Sequence, residues 1–358
     1  MVLTIIISFI SLIGLVVLHE LGHFVLAKKF GVKVEEFGIG FPPRLFGKKF
    51  GETIYSINLL PLGAFVRMPG ETEASDDPNS FFKQAVWKRA IIVFGGCLTF
   101  WIVSMVIFIS LLISGMQIGV SDNDSLGLKN QKVLIEMIAK NSPALEAGIK
   151  PGDSIKKLIF EDYQLSTSKV SDIQQFTNEH KGEEVTMQIE RDDEVLEVSL
   201  IPRVSPPNGE GAMGVSLSRV ANVSTWYWAI LKGPQITFDL TIQIIKGWAS
   251  AIYKVATGTP SGVQVMGPVG IFNLFTQAST LGINYFLQFV AMISIYMAVF
   301  NILPIPSVDG GKLMFLAIEA VRRKPVSIKV EQIVTSVFFF TLIALMLFVT
   351  VKDIIRIF

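Results

Sequence analysis

The sequence predicts a mainly α-helical membrane protein, with about four transmembrane helices, a β-hairpin between the first two and a soluble α+β domain inserted before the last two. Three observations predict it. Apolar side chains make up 51% of the 358 residues. Four runs are long and apolar enough to cross a hydrocarbon core, which takes about 20 residues in a helix. Between the second and third run lies a stretch of ordinary soluble composition. With 31 basic and 30 acidic side chains, bulk charge demands no acidic partner, so composition points to the lipid bilayer and to no nucleic acid.

The first run covers residues 2–27, whose only Lys, Arg, Asp or Glu is Glu20. A cleaved signal peptide would need a basic segment ahead of the apolar one, and no Lys or Arg precedes Lys28. Residues 90–116 are uncharged throughout and follow Lys88 and Arg89. The third and fourth runs are 283–303 and 333–351. Residues 226–252 are also apolar but hold Lys232, Pro234, Asp239 and Lys246, which reads as an interfacial or partly embedded helix anchored by Trp and Tyr.

Basic residues in short loops set the orientation. Lys28, Lys29 and Lys33 follow the first span, Lys88 and Arg89 precede the second, and Arg322, Arg323, Lys324 and Lys329 separate the last two. Those loops are expected in the cytosol, with both termini and residues 117–282 outside. Lys352 and Arg356 run against this rule.

Between the first two spans, 37–68 is rich in Gly, Pro and β-formers. TIYSIN and LGAFVRM, separated by Leu-Leu-Pro, read as short strands of a hairpin. Residues 71–79 read as a polar surface loop. From 132 to 203 the chain is soluble in composition, and its last part alternates like a hairpin around Asp192-Asp193. The resulting division is 1–116, 117–214 for the inserted domain, 215–282 as a membrane-associated linker with an amphipathic helix, and 283–358.

The chemistry concentrates in His19-Glu20-Leu21-Gly22-His23. Two imidazoles four residues apart project from one helix face and can reach one metal ion, while Glu20 can meet the water beside it. The same pentapeptide on a soluble helix could be a solvated face. Within a membrane span, three titratable groups cost several kcal/mol and mark function. A zinc hydrolase keeps three protein ligands and one open position, and the chain holds only three histidines. The third, His180, lies in the charged stretch NEHKGEEV and reads as an exposed turn residue. Asp309, in NILPIPSVDGGKL just past the third span, is the better third ligand; its competing reading is a helix cap. Asn301, at the end of the same run, is a helix-capping or interhelical hydrogen-bonding group, or a donor to the substrate carbonyl. Cys97 is the lone cysteine, and its place in an apolar run reads as a small buried hydrophobe.

With these residues in place the chain resembles the site-2 protease family: HELGH in a first span, NILPIPSVDGG at the end of a third, and a PDZ-like stretch, NSPALEAGIKPGDSIKKL, between them. The resemblance covers essentially the whole chain and is nearest the bacterial branch that cleaves anti-sigma factors and remnant signal peptides. It implies Zn2+ held by His19, His23 and Asp309, Glu20 as the base and Asn301 helping to hold substrate. It implies that 52–68 forms a membrane-reentrant hairpin whose edge takes an unwound substrate, with Tyr55, Ile57, Leu62, Gly63 and Phe65 as substrate-binding residues; a purely structural hairpin is the other reading. It implies one PDZ-like domain outside the cytoplasmic membrane and single-pass transmembrane proteins as substrates. Lys312 departs from the histidine often found after the Gly-Gly pair. Gly267-Pro268-Val269-Gly270 resembles a family motif, although a plain turn explains it nearly as well. Two other classes were open: a catalytically silent membrane scaffold, against which the intact Glu20 and donor set argue, and a metal transporter, which would want polar positions along every span.

Overall fold

The computed structural model describes residues 2–357 except 74, 167, 192, 193, 208, 260–265 and 281, and excludes the side chains at 2–5, 62, 280, 356 and 357. The chain forms two units, Met1–Ile109 with Gly233–Phe358, and Ser110–Lys232. Helical content is 52%, so sheet takes a larger share than the apolar runs suggest.

The first unit opens with α1 (Val2–Lys29), whose last turn carries Lys28 and Lys29, a placement that suits the negative end of a helix. Two long strands follow, β1 (Glu36–Phe50) and β2 (Thr53–Arg67). They corrects the hairpin expected of TIYSIN and LGAFVRM. Those two segments both lie in β2 and do not pair with each other, because the start of β1 stands between them: Phe37 aligns with Tyr55 and also with Val66, and Ile39 with Ile57 and also with Ala64. The tight turn is elsewhere, at Gly51-Glu52 between the paired Phe50 and Thr53, where Gly51 takes φ +62° at no steric cost. Leu59-Leu60-Pro61 offers no such residue. After β2 a single 3-10 turn leads to α2 (Val86–Ile113).

The second unit is an α+β arrangement built from β3 (Ile118–Gly119), β4 (Leu128–Ile138), α3 (Pro143–Glu146), β5 (Ser154–Phe160), β6 (Tyr163–Leu165), α4 (Val170–Glu179), β7 (Val185–Arg191), β8 (Glu194–Leu200) and β9 (Val215–Val223). Its seven strands run in the order β3-β9-β4-β5-β7-β8, with β6 on β5. The alternation of VTMQIER buries Val185, Met187 and Ile189 against Ile155, Leu158, Ile173 and Phe176. β7 and β8 pair from Val185↔Leu200 to Arg191↔Glu194, and the Asp192-Asp193 turn expected between them lies outside the described residues. Ser142 caps α3, its Oγ accepting the Leu145 N–H ahead of a first-turn proline.

Asp153 ties this sheet together. Its carboxylate, 1% exposed, accepts from Arg191 Nε and Nη2, both at 2.7 Å, and from the Lys150 N–H. Burial pushes the carboxyl up, but these donors outweigh it and hold Asp153 below the usual carboxylate range. The stability so gained is present above the unfolded carboxylate pKa and is lost as pH falls through the lowered value. Asp153→Asn should destabilise the unit by about 3 kcal/mol, by removing the charge from a sheltered two-point pair with Arg191. Faster amide exchange in β5 and β7 is the expected readout, and unchanged exchange would show the pair to be idle.

The chain continues with α5 (Trp226–Ala256), α6 (Pro268–Thr280), α7 (Ile283–Ile302), α8 (Asp309–Arg322) and α9 (Ile328–Ile357). Among the described residues four helices have the length and hydropathy to cross a membrane, at 6–29, 86–113, 283–302 and 328–355. They match the four apolar runs, and α5 is not one of them. Helix α6 was not anticipated: Pro268, for which a family motif and a plain turn were both open, occupies the first helical position, where a missing N–H is harmless. Asp353 of α9 accepts the Gly267 and Gly270 N–H groups at 2.8 Å each, satisfying the donors that open this helix. Phe275 of α6 then packs with Leu15, Phe100, Phe286 and Val290. A second cluster joins Ala27, Val34, Met68, Phe81, Ile92, Val93 and Leu316. Along both α1 and α2, the candidate site falls between these two clusters.

Candidate metal centre

Helices α1 and α2 cross at small residues: a Cβ at Gly22 would meet the Gly95 carbonyl and Thr99. That approach sets the HELGH face against 92–100. His19 and His23, each 8% exposed, bring their Nε2 atoms to 3.3 Å of each other. His23 Nδ1 lies 2.9 Å from the Ile92 carbonyl, which can only accept, so Nδ1 carries the proton and Nε2 keeps a lone pair. The His19 ring stacks on Phe100 at 4.6 Å between centroids.

Asp309 reaches the same point from the far end of the unit. Val308 is the cap of α8 and Asp309 its first helical residue, so the helix-cap reading of Asp309 does not hold. Gly310 and Gly311 make the approach possible, since a Cβ on either would enter the backbone at 302–303 or 305–306. Asp309 Oδ2 stands 3.4 Å from His19 Nε2 and 3.4 Å from His23 Nε2. The donor atoms of His19, His23 and Asp309 all lie within 4.8 Å of one another. Two neutral imidazoles and one carboxylate, buried and convergent, suit a divalent zinc ion. Gly96 completes the cradle: a methyl there would overlap both imidazoles.

The centre opens on a cavity of about 490 Å3 lined by His19, Glu20, Asn301 and Asp309, and further out by Glu71 and Lys312. The Val66 N–H of β2 lies near enough to the Glu20 carboxylate to act on it electrostatically. Asn301 donates to the Met297 carbonyl at 2.9 Å, an intrahelical bond that leaves the other amide atoms on the cavity wall. His180 belongs to the other unit, where it stacks on Phe160 at 4.1 Å and pairs with Glu183.

Of the residues proposed to bind substrate, Phe65 lies in the 64–67 stretch of β2 that pairs with β1 on one side only, and Gly63 comes just before that stretch; the Leu62 side chain lies outside the described residues. Tyr55 and Ile57 do not lie on that edge. Their stretch of β2 is paired on one side with Phe37 and Ile39 and on the other with Lys48 and Phe46, so they offer a side chain but no strand edge. Two neighbours were read too simply from sequence. Cys97 is buried, yet its Sγ lies 3.6 Å from Asp309 Oδ2 and donates to it. Arg89, a cytosolic marker by charge alone, is 5% exposed and forms a two-point pair with Glu319 at 2.5 and 3.1 Å. Neither contact has a local signature in the sequence.

The fold and the centre together define a class, the multi-pass membrane metallohydrolases. The family description Peptidase family M50 matches residues 7–345. A Clostridium perfringens protein provisionally named a zinc metalloprotease is 34% identical, over 98% of this chain and 98% of its own. The zinc metalloprotease RasP of Geobacillus kaustophilus is 30% identical over 98% and 97%, and the regulator of sigma-W protease RasP of Bacillus subtilis 29% over 99% and 99%. A solved PDZ domain of an SdrC-like protein from Listeria monocytogenes aligns with 24% of this chain and 85% of its own, at 16% identity and a TM-score of 0.20, too low to bear on the fold. The chain therefore belongs to peptidase family M50, the site-2 proteases, and is a zinc metalloprotease.

Proposed function

We propose that this protease hydrolyses peptide bonds within or beside the transmembrane segments of single-pass membrane proteins, with His19, His23 and Asp309 holding the zinc. The observation that carries the reading is the convergence of two donors from a helix of membrane-crossing length with a third from the start of α8, beside a carboxylate in a cavity. Bound there, zinc supplies Lewis acidity that activates water and polarises a carbonyl. Glu20 takes a proton from the attacking water at its carboxylate oxygen and returns one to the leaving amine. Asn301 holds the substrate carbonyl from the cavity wall.

A transmembrane helix hides its carbonyls in its own hydrogen bonds, so the substrate must be extended before attack. Among the described residues no further strand pairs with the outer edge of 64–67, and Val66 in that stretch lies near Glu20. A substrate added there as a strand recovers the lost bonds beside the base. Anti-sigma factors and remnant signal peptides are the substrates this reading favours, the former in line with the sigma-W name of the Bacillus subtilis relative. On this reading the protein sits in the bacterial cytoplasmic membrane with both termini and the PDZ-like unit outside, a unit that runs past 214 because β9 (Val215–Val223) lies within its sheet.

Metal removal tests the reading and separates it from a silent scaffold. In lipid vesicles the purified protein should cut a model transmembrane peptide, a zinc chelator should stop the cutting and added zinc should restore it. Cutting that survives complete removal of metal would refute the assignment.

A further inference from the structure

The end of β2 is fastened near Glu20 by groups that the mechanism above leaves unused. Glu71, four residues past Arg67, accepts from Lys312 Nζ at 2.7 Å, with the two side chains 22% and 21% exposed. Lys312 stands three residues after Asp309 on α8, and its ammonium lies 4.9 Å from the centre of the Phe81 ring. Next to Glu71, the Thr72 carbonyl accepts from Gln332 of α9 at 2.8 Å. Glu71, Thr72, Lys312 and Gln332 line the same cavity as His19, Glu20 and Asp309.

We propose that the Lys312–Glu71 ion pair is a positioning latch for proteolysis, tying the exit of the substrate-accepting strand to the helix that begins with Asp309. The inference rests on the assignment of Glu20 and of the 64–67 edge made above. Both ends of the latch are one short step from the chemistry: Glu71 lines the same cavity as Glu20, five residues past Val66, and Lys312 shares a helix face with Asp309. The pair is sheltered, so its attraction is screened less than at an open surface. Without it, the end of β2 keeps the buried Met68 and the Phe81 N–H bond to the Pro69 carbonyl, so the strand persists but its exit gains freedom. Attack on a carbonyl is sensitive to such freedom, since a misplacement of about 1 Å can cost about 100-fold in rate. Lys312 and Glu71 are therefore positioning residues, acting through the strand.

The test is a double-mutant cycle on the full-length zinc-loaded protein in vesicles, with a model transmembrane substrate. Lys312→Met and Glu71→Gln should each lower kcat about 10-fold, and the double variant should do no worse than either, because both remove one interaction. KM and bound zinc should stay near wild type, and Lys312→Arg, which keeps the charge, should retain most of the rate. Independent effects that multiply in the double variant overturn the latch, as do unchanged turnover, an effect confined to KM, or lost zinc. Glu20→Gln in the same assay separates the two layers: if it stays active the underlying mechanism fails, whereas a dead Glu20→Gln with a multiplicative cycle removes the latch alone.

Discussion

Replacing Glu20 by Gln is expected to cut peptide hydrolysis by roughly 100- to 10,000-fold, the usual contribution of a positioned general base, and to leave zinc bound. The reason lies in the division of labour on one helix turn. His19 and His23 point their Nε2 atoms at Asp309, while Glu20 faces the cavity and the Val66 amide. The amide of Gln keeps the size of the side chain and an acceptor oxygen, but it cannot take a proton at neutral pH. Metal content and cleavage rate, measured on the same preparation, should thus come apart. Turnover near wild type would remove Glu20 from the mechanism, and lost zinc would mean that it acts on the metal instead.

Gly96→Ala should do the reverse, failing at the metal first. The added methyl would overlap His23 Nε2, one of the donor atoms, and His19 Cε1 beside another, and both rings sit in a packed interior with little room to retreat. Disturbing the surroundings of metal ligands commonly costs 10- to 100-fold in affinity, and a direct overlap with two of them belongs at about the upper end. Zinc titration should show that weakening, with activity recovering as zinc is raised. Gly14→Ala is the control: it lies on α1, the helix of the two histidines, but its Cβ would meet nothing within 4 Å. If Gly96→Ala binds zinc as tightly as wild type, the cradle is looser than its geometry implies.

How much of this was legible beforehand follows from the range of each signal. A helix repeats every 3.6 residues, so HELGH alone places His19 and His23 on one face. An apolar run of 20 residues has little alternative to a membrane helix, which is why four spans could be read directly. Asp309 was legible by chemistry, because a site with two histidines needs another donor. What escaped depends on partners distant in sequence. Nothing in EFGIG announces that it will stand between two stretches of β2, and the proline of Leu-Leu-Pro competes as a turn signal with Gly51-Glu52, where the chain actually turns. The helix opened by Pro268 is satisfied by Asp353, more than 80 residues on. Cys97 and Arg89 looked ordinary for their surroundings until Asp309 and Glu319 were placed against them.

The centre draws two donors from the first helix and the third from α8, close to the end of the chain, with the whole second unit lying between them in sequence. A nascent chain that has inserted only its first two spans already holds HELGH, yet it lacks Asp309 and with it a complete donor set. The donor set is thus complete only once α8 has been made and has carried Asp309 to the two histidines of α1. Assembly itself serves as the safeguard: a stalled or truncated product is left in the bilayer without the means to cut its neighbours, and no separate inhibitory segment is required for that protection.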